Sequence, residues 1–258
     1  MRYIITKLED SILQITLNRP EVYNGFNKGM SIEVQEALRL GSESENIRAI
    51  VITAQGKAFS SGQDLKEASE SSELSMRRII LDQYNPIISE ITKCPKPVIA
   101  GVNGIAAGAG ANIALACDII IAAQSASFIQ AFSKIGLIPD SGGTFFLPRL
   151  VGYQRAKALM MTGDKITANE ALQMGMVYKV FADSDFEEQL MTFARQMAEM
   201  PTKALYLTKQ LLEISLNSSL ENQLLNEVDY QEMAGETNDF KEGMKAFIEK
   251  RKPQFNGN

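Results

Sequence analysis

Three segments of this chain gather small residues, turn residues and a carboxylate in patterns that could do chemistry. Gly56-Lys57-Ala58-Phe59-Ser60-Ser61-Gly62-Gln63-Asp64-Leu65 comes after an apolar run ending at Ala54. Its glycines and serines let backbone N–H groups come close to a ligand, which suits an oxyanion or a phosphate. The same residues also make an ordinary Ser/Gly turn in which Asp64 caps the next segment. Val102-Asn103-Gly104-Ile105-Ala106-Ala107-Gly108-Ala109-Gly110-Ala111-Asn112 sits where a strand passes into a helix. Free N–H groups at a helix N-terminus, with the dipole behind them, stabilise negative charge. The stretch lacks the third glycine and the acidic residue of a dinucleotide fingerprint, and it has no Gly-Lys-Ser/Thr of a P-loop. Gly136-Leu137-Ile138-Pro139-Asp140-Ser141-Gly142-Gly143-Thr144 holds a carboxylate. Asp140 reads either as the N-cap of a helix or as an acid/base whose pKa is raised by apolar neighbours.

What is missing narrows the chemistry. The 258 residues include no His and no Trp, and 26 basic against 31 acidic residues give a net charge of −5. A Ser-His-Asp triad, a Cys-His dyad, a His-ligated zinc and a His general base are therefore excluded within the chain. Proton transfer near neutral pH falls to carboxylates, Lys, Tyr, Cys or backbone groups. Cys94 and Cys117 lie 23 positions apart in apolar surroundings. That is neither a metal or redox spacing nor a disulfide framework, and buried reduced thiols in a cytoplasmic protein are expected. No metal site is expected. The acidic balance argues against nucleic acid or an anionic membrane as partner. Met1-Arg2-Tyr3-Ile4-Ile5-Thr6-Lys7 shows no signal-peptide pattern.

These segments must be held by a scaffold whose elements alternate. Tyr3–Lys7 and Ile12–Leu17 read as a hairpin around Glu9-Asp10-Ser11. Apolar spacing at Met30, Val34, Ala37 and Leu38 predicts a helix from Lys28 to about Leu40. Ala49–Ala54, Pro97–Val102 and Asp118–Ala123 are apolar runs of the kind buried on both faces of a sheet. Between them lie a polar loop from Gln55 to Ser75, a helix from Met76 to Lys93, and a Gly/Ala loop from Asn103 to Gly110 leading into a helix to about Cys117. Val98 to Cys117 carries no charge over a length that could span a bilayer. Its Gly and Ala content and Asn103 and Asn112 favour a buried strand and a tightly packed helix instead. After about Gly142 the pattern is almost wholly helical: Tyr153–Met161, Thr167–Met174, Phe186–Met200, Thr202–Asn217, Leu220–Ala234 and Phe240–Lys250. The fold class is α/β with a helical C-terminal layer.

Taken in order, these motifs resemble the crotonase superfamily, the enoyl-CoA hydratase/isomerase family. The resemblance runs from Asn18-Arg19-Pro20 through Phe59–Leu65, Val102–Asp118 and Gly136–Thr144 to Phe247-Ile248-Glu249-Lys250-Arg251-Lys252-Pro253. It implies a spiral of ββα units over residues 1–195 and a helical trimerisation region over 196–258. It also implies an acyl-CoA thioester substrate, a homotrimer or a hexamer made of two trimers, and no cofactor beyond the CoA of the substrate. Carried over by position, the oxyanion hole falls on the backbone N–H groups of Gln63 and Ala109, among the substrate-contacting residues Ser61, Gly62, Asp64 and Gly110.

Departures from the family pattern select a subtype. Where hydratases carry two glutamates that activate water, this chain has Asn112 and Phe132. An Asn amide holds a water or a substrate group without exchanging a proton near neutral pH, and Phe does neither. Asp140 stands where isomerase branches place their acid/base carboxylate. Gly108–Asn112, Pro139–Thr144 and the tail Lys250–Phe255 look most like the ring-epoxide isomerases of phenylacetate breakdown. Phe132 would then line an acyl pocket or pack in the core. Phe247 and Lys250 would reach a neighbouring subunit's CoA, although their segment also reads as a solvated helix face. Isomerisation through Asp140 is the expected activity. Hydration of 2-enoyl-CoA is the alternative, and a silent binding protein is disfavoured by the intact Asp140.

Overall fold

A computed structural model describes residues 1–70 and 75–258; the part of the expected polar loop at 71–74 lies outside the described residues. The chain opens with β1 (Ile4–Glu9) and β2 (Ile12–Leu17), then α1 (Lys28–Glu43), β3 (Ala49–Ala54), β4 (Ala58–Ser60) and α2 (Leu65–Glu70). Next, α3 (Met76–Arg78), a π-helical segment at Ile79–Tyr84 and α4 (Asn85–Lys93) run on as one irregular helix. β5 (Val98–Val102), β6 (Ile105–Ala107) and α5 (Ala109–Ala116) come next, then β7 (Ile119–Ala123) and β8 (Ser127–Ile129). After a 3-10 turn at Ala131–Ile135 come α6 (Gly143–Val151), α7 (Tyr153–Thr162), β9 (Lys165–Thr167), α8 (Ala168–Gln173) and β10 (Lys179–Phe181). The chain closes with α9 (Phe186–Ala198), α10 (Thr202–Ser215), α11 (Leu220–Gly235) and α12 (Asn238–Glu249).

Successive strand pairs divide between two sheets. β3, β5 and β7 enter a six-stranded sheet of order β1-β2-β3-β5-β7-β10, parallel except for the first pair. Their short followers β4, β6 and β8 enter a four-stranded sheet of order β4-β6-β8-β9, parallel except for the last pair. Each turn of the chain thus adds one strand to each sheet and a helix outside, which is the expected ββα spiral. The long strands form because Ile50, Val51, Val98, Ile99 and Ile121 are apolar on both faces and wholly buried. The hairpin turn at Asp10 and Ser11 has φ of 51° and 60°, as a two-residue type I′ loop requires.

Several sequence expectations change. The Gln55–Ser75 loop contains β4 and α2, the Gly/Ala loop contains β6, and the helical C-terminal part is interrupted by β9 and β10. Each of these missed strands is three residues long. Three residues cannot show an alternation, so such strands exist only through the partners they pair with. The uncharged Val98–Cys117 stretch is β5, β6 and α5, and among the described residues no helix is long and apolar enough to cross a membrane. Both cysteines are buried and free.

The Lys96-Pro97 junction does more than punctuate. Lys96 is 9% exposed and its Nζ donates to the carbonyls of Gly41 and Ser42 at 2.8 Å and of Ser44 at 2.5 Å. A cation there closes the C-terminus of α1 and meets the negative end of its dipole. Lys96→Met should remove this donor from the Gly41 and Ser42 carbonyls, leave Ser44 O with Ile47 N–H alone, and lower stability by about 1–3 kcal/mol in chemical denaturation.

Candidate active site

The three chemical segments of the sequence meet because β4, β6 and β8 are parallel neighbours, so their carboxyl ends open on the same side of the small sheet. Ser61–Asp64 lies just after β4, Gly108–Asn112 after β6, and Gln130, Phe132 and Asp140 after β8. Ligands of parallel sheets bind at such carboxyl ends.

The first two segments touch backbone to backbone. Gly62 is buried with φ of +88°, and a Cβ there would lie 3.0 Å from Ala107 O and 3.2 Å from Ala109 N. Only glycine permits both that conformation and that approach. Gly110, on the other side of the contact, faces Ser60 so closely that a Cβ would come within 2.5 Å of the serine Cβ. Gln63 forms a parallel bridge with Phe26, in which Phe26 N–H donates to Gly62 O at 2.7 Å and Asp64 N–H to Phe26 O at 2.9 Å. The bridge therefore uses the amides on either side of Gln63 and leaves its own N–H aimed elsewhere. Ala109 is the first residue of α5, so its N–H has no acceptor within the helix.

Polar groups outside the site brace this loop. Asn24 is fully buried, and its Nδ2 donates to Gln55 O and Ala58 O, both at 2.8 Å. Asp64 pairs with Arg19 at 2.9 Å and accepts from Lys66 N–H at 3.2 Å and Glu67 N–H at 3.4 Å. Burial opposes ionisation of Asp64, but Arg19 and these N–H groups outweigh it and hold the carboxyl below its ordinary value. The capping reading of Asp64 is thus the one seen. Ser61 is exposed, with its hydroxyl 3.4 Å from Val22 O.

Asp140 does not cap α6. Asp140 O accepts from Gly143 N–H at 2.9 Å, Ser141 and Gly142 have φ of 50° and 75°, and Gly142 takes the N-cap position without a side-chain bond. This tight turn frees the Asp140 side chain, which is half-buried. Burial pushes its carboxyl above the ordinary aspartate value, against the opposing hydrogen bond of 2.8 Å from Ser141 Oγ. A carboxyl raised by desolvation is a competent proton carrier.

Asn112 holds that turn. Its amide is fully buried, Nδ2 donates to Asp140 O at 2.8 Å, and Oδ1 accepts from Gln130 Nε2 at 2.8 Å. The two partners fix the amide's orientation and tie it to the main chain beside the carboxyl. Phe132 is 6% exposed and approaches Gly108, where a Cβ would lie 3.8 Å from the ring.

Phe247 and Lys250 lie elsewhere. Phe247 is 86% exposed on α12, in the wall of an apolar cavity of about 510 Å³ shared with Phe240, Met244 and Phe255. Lys250 ends that helix with φ of 54° and is exposed. Among the described residues, no hydrogen bond, ion pair or ring contact joins either to the Gln63–Asp140 cluster. Two contributors are absent from the sequence expectations: Gln130, through Asn112, and Tyr84, whose hydroxyl donates to Gln63 Oε1 at 2.7 Å. Asn85-Pro86 inside a helical stretch is the available signal for the second. No group of three or more His, Cys, Asp or Glu among the described residues is placed to hold a metal.

The family model for enoyl-CoA hydratase/isomerase matches residues 7–258. The chain belongs to the enoyl-CoA hydratase/isomerase family and has the crotonase fold. It is 41% identical to the 1,2-epoxyphenylacetyl-CoA isomerase of Escherichia coli, over 100% of this chain and 99% of that one. It is 44% identical to a Rhodobacter capsulatus protein named "Probable enoyl-CoA hydratase", over 97% and 96%. The crystal structure of an enoyl-CoA hydratase from Bacillus anthracis superposes with a TM-score of 0.92 at 34% identity, covering both chains fully (100% and 100%).

Asn112→Ala should leave Gln130 Nε2 without its partner and Asp140 O with Gly143 N–H alone. A stability loss of about 1–3 kcal/mol by denaturant titration is expected, the cost of one buried group left unpaired.

Proposed function

We propose that this protein is an acyl-CoA isomerase that moves a proton, and with it a double bond, next to a CoA thioester. The observation that carries the reading is Asp140: a half-buried carboxyl with raised pKa, at the carboxyl end of the small sheet, with Asn112 and Phe132 at the two positions where family hydratases have glutamates. In the proposed mechanism the Gln63 and Ala109 N–H groups donate to the thioester oxygen. They favour the enolate over the carbonyl because they are already in place when charge develops there. Asp140 takes a proton α or γ to the thioester and returns it at another carbon of the enolate. One base suffices for such a 1,3-shift, and the same pair of functions could reorganise a strained ring epoxide. Asn112 acts as a positioning residue through the Asp140 main chain, and Phe132 lines the acyl group.

CoA enters as part of the substrate, and the proposed steps call on no further cofactor. α11 buries no residue, and Leu220, Leu224, Leu225 and Val228 stand 53–76% exposed along it. Such a surface needs covering, and we assign it to other copies of this chain in a homotrimer or a pair of trimers. Phe247 and Lys250 would there serve a neighbour's CoA, the ring against adenine and the ammonium against phosphate. Nucleic acid is not the intended partner of so acidic a chain, and a cytoplasmic location fits its free thiols. Hydration of 2-enoyl-CoA is the second reading, favoured by the name of the 44% identical relative.

Assays with 3-enoyl-CoA, 2-enoyl-CoA and the ring epoxide of phenylacetyl-CoA separate these readings. Isomerisation should dominate, and hydration of 2-enoyl-CoA at a comparable rate would reverse the ranking. Asp140→Asn should lower kcat by about 10²–10⁴-fold, and full activity in that variant would refute the mechanism. In the wild type, activity should fall as pH drops through a midpoint above that of an ordinary aspartate, because the protonated carboxyl cannot act as base. Lys250→Ala should weaken CoA binding by about fivefold and flatten its salt dependence, as read by calorimetry at two ionic strengths.

A further inference from the structure

Tyr84 is 1% exposed, and its hydroxyl takes no part in the proposed proton transfer. It is the last residue of the π-helical segment Ile79–Tyr84, where Asn85 N–H bonds to Ile80 O five residues back. The cause of that wide turn is local. Pro86 has no N–H for Asp82 O, and its ring pushes that carbonyl aside. Gln35 Nε2, from α1, takes up the released carbonyls of Asp82 at 3.1 Å and Gln83 at 3.0 Å. A wide turn shifts the side chains that precede it around the helix axis, and such turns cluster at functional sites.

Here the shifted residue points at the oxyanion loop. Tyr84 Oη donates to Gln63 Oε1 at 2.7 Å, and its ring packs on Phe26 with centroids 6.0 Å apart. Phe26 is the residue whose backbone bridges Gln63, so ring and hydroxyl hold the same residue from two sides. Burial first, then the negative charges of Asp140, Glu67 and Asp64, keep the phenol protonated and therefore a donor.

We infer that Tyr84 is a positioning residue that fixes the Gln63 side chain, and through it the Gln63 N–H, at the angle needed for the enolate oxygen. The inference rests on the proposed role of that N–H, and it adds a side-chain requirement where backbone alone would otherwise suffice. A displacement of an ångström or less at a reacting centre costs rate far more than binding.

The test compares wild type, Tyr84→Phe, Gln63→Leu and the double variant in the full-length protein. Two readouts are used: turnover of 3-enoyl-CoA, and the near-ultraviolet absorbance of acetoacetyl-CoA, which reports how much of the bound ligand is enolate. Tyr84→Phe should lower kcat by about tenfold to a hundredfold, reduce the enolate fraction in parallel, and leave KM and the affinity for CoA itself within about twofold. Gln63→Leu should show a similar loss and the double variant no further one, because both remove one hydrogen bond. Unchanged kcat and enolate fraction in Tyr84→Phe, or fully additive losses, would overturn the inference while leaving the isomerase reading intact. A wild type that binds no acyl-CoA thioester would instead remove that reading and the inference with it. Should Tyr84→Phe fail to fold by thermal melting, Gln63→Leu keeps the ring and decides alone: wild-type kcat there is the refuting result.

Discussion

Main-chain amides cannot be moved by a rotamer, so a site that uses them must bring whole loops into contact and hold them there. The approach of Gly62 to Ala107 and Ala109 is that contact, and it tolerates no Cβ at Gly62. Parallel pairing of β4, β6 and β8 sets the loops side by side, and the helix dipole of α5 lies behind one of them. Asn24, the Arg19–Asp64 pair and the Phe26 bridge then brace the other loop from the outside. The Asn24 amide donates to main-chain carbonyls, and Asp64 joins the Arg19 side chain to the N–H groups of Lys66 and Glu67, so a loop without regular structure keeps a fixed shape.

The carboxylate is held by the same logic. Asp140 enters the site from a tight turn whose main chain is gripped by Asn112, and Asn112 by Gln130. An amide suits this task because one end donates while the other accepts, whereas a glutamate at the position would present acceptors only. Asn112 thus clamps the turn that carries Asp140 to α5 and to Gln130. Burial of Asp140 disfavours its charged form and raises its pKa above the ordinary aspartate value.

Much of the architecture is legible in local pattern. The runs Ala49–Ala54 and Val98–Val102 announce buried strands, and Met30, Val34, Ala37 and Leu38 a helix face, because burial writes a periodicity into long elements. The short strands escape because three residues hold no period. The Asp140 turn is ambiguous for a related reason: Pro-Asp-Ser-Gly fits both a cap and a tight turn, and only the position of Gly143 N–H separates them. Tyr84 looks like one more apolar position on a helix, since its importance depends on a partner 21 residues away.

Residue types alone exclude chemistry: without histidine, proton transfer near neutral pH is left to carboxylates, Lys, Tyr, Cys or backbone groups. Residue type carries that information directly, because a group that is absent cannot act. The tertiary structure decided which amides are left unpaired, how deeply Asp140 is buried, and which side chains hold both in place. Those properties belong to contacts between strands and loops far apart in the chain, such as Arg19 with Asp64 and Asn112 with Asp140, and no local spacing encodes them.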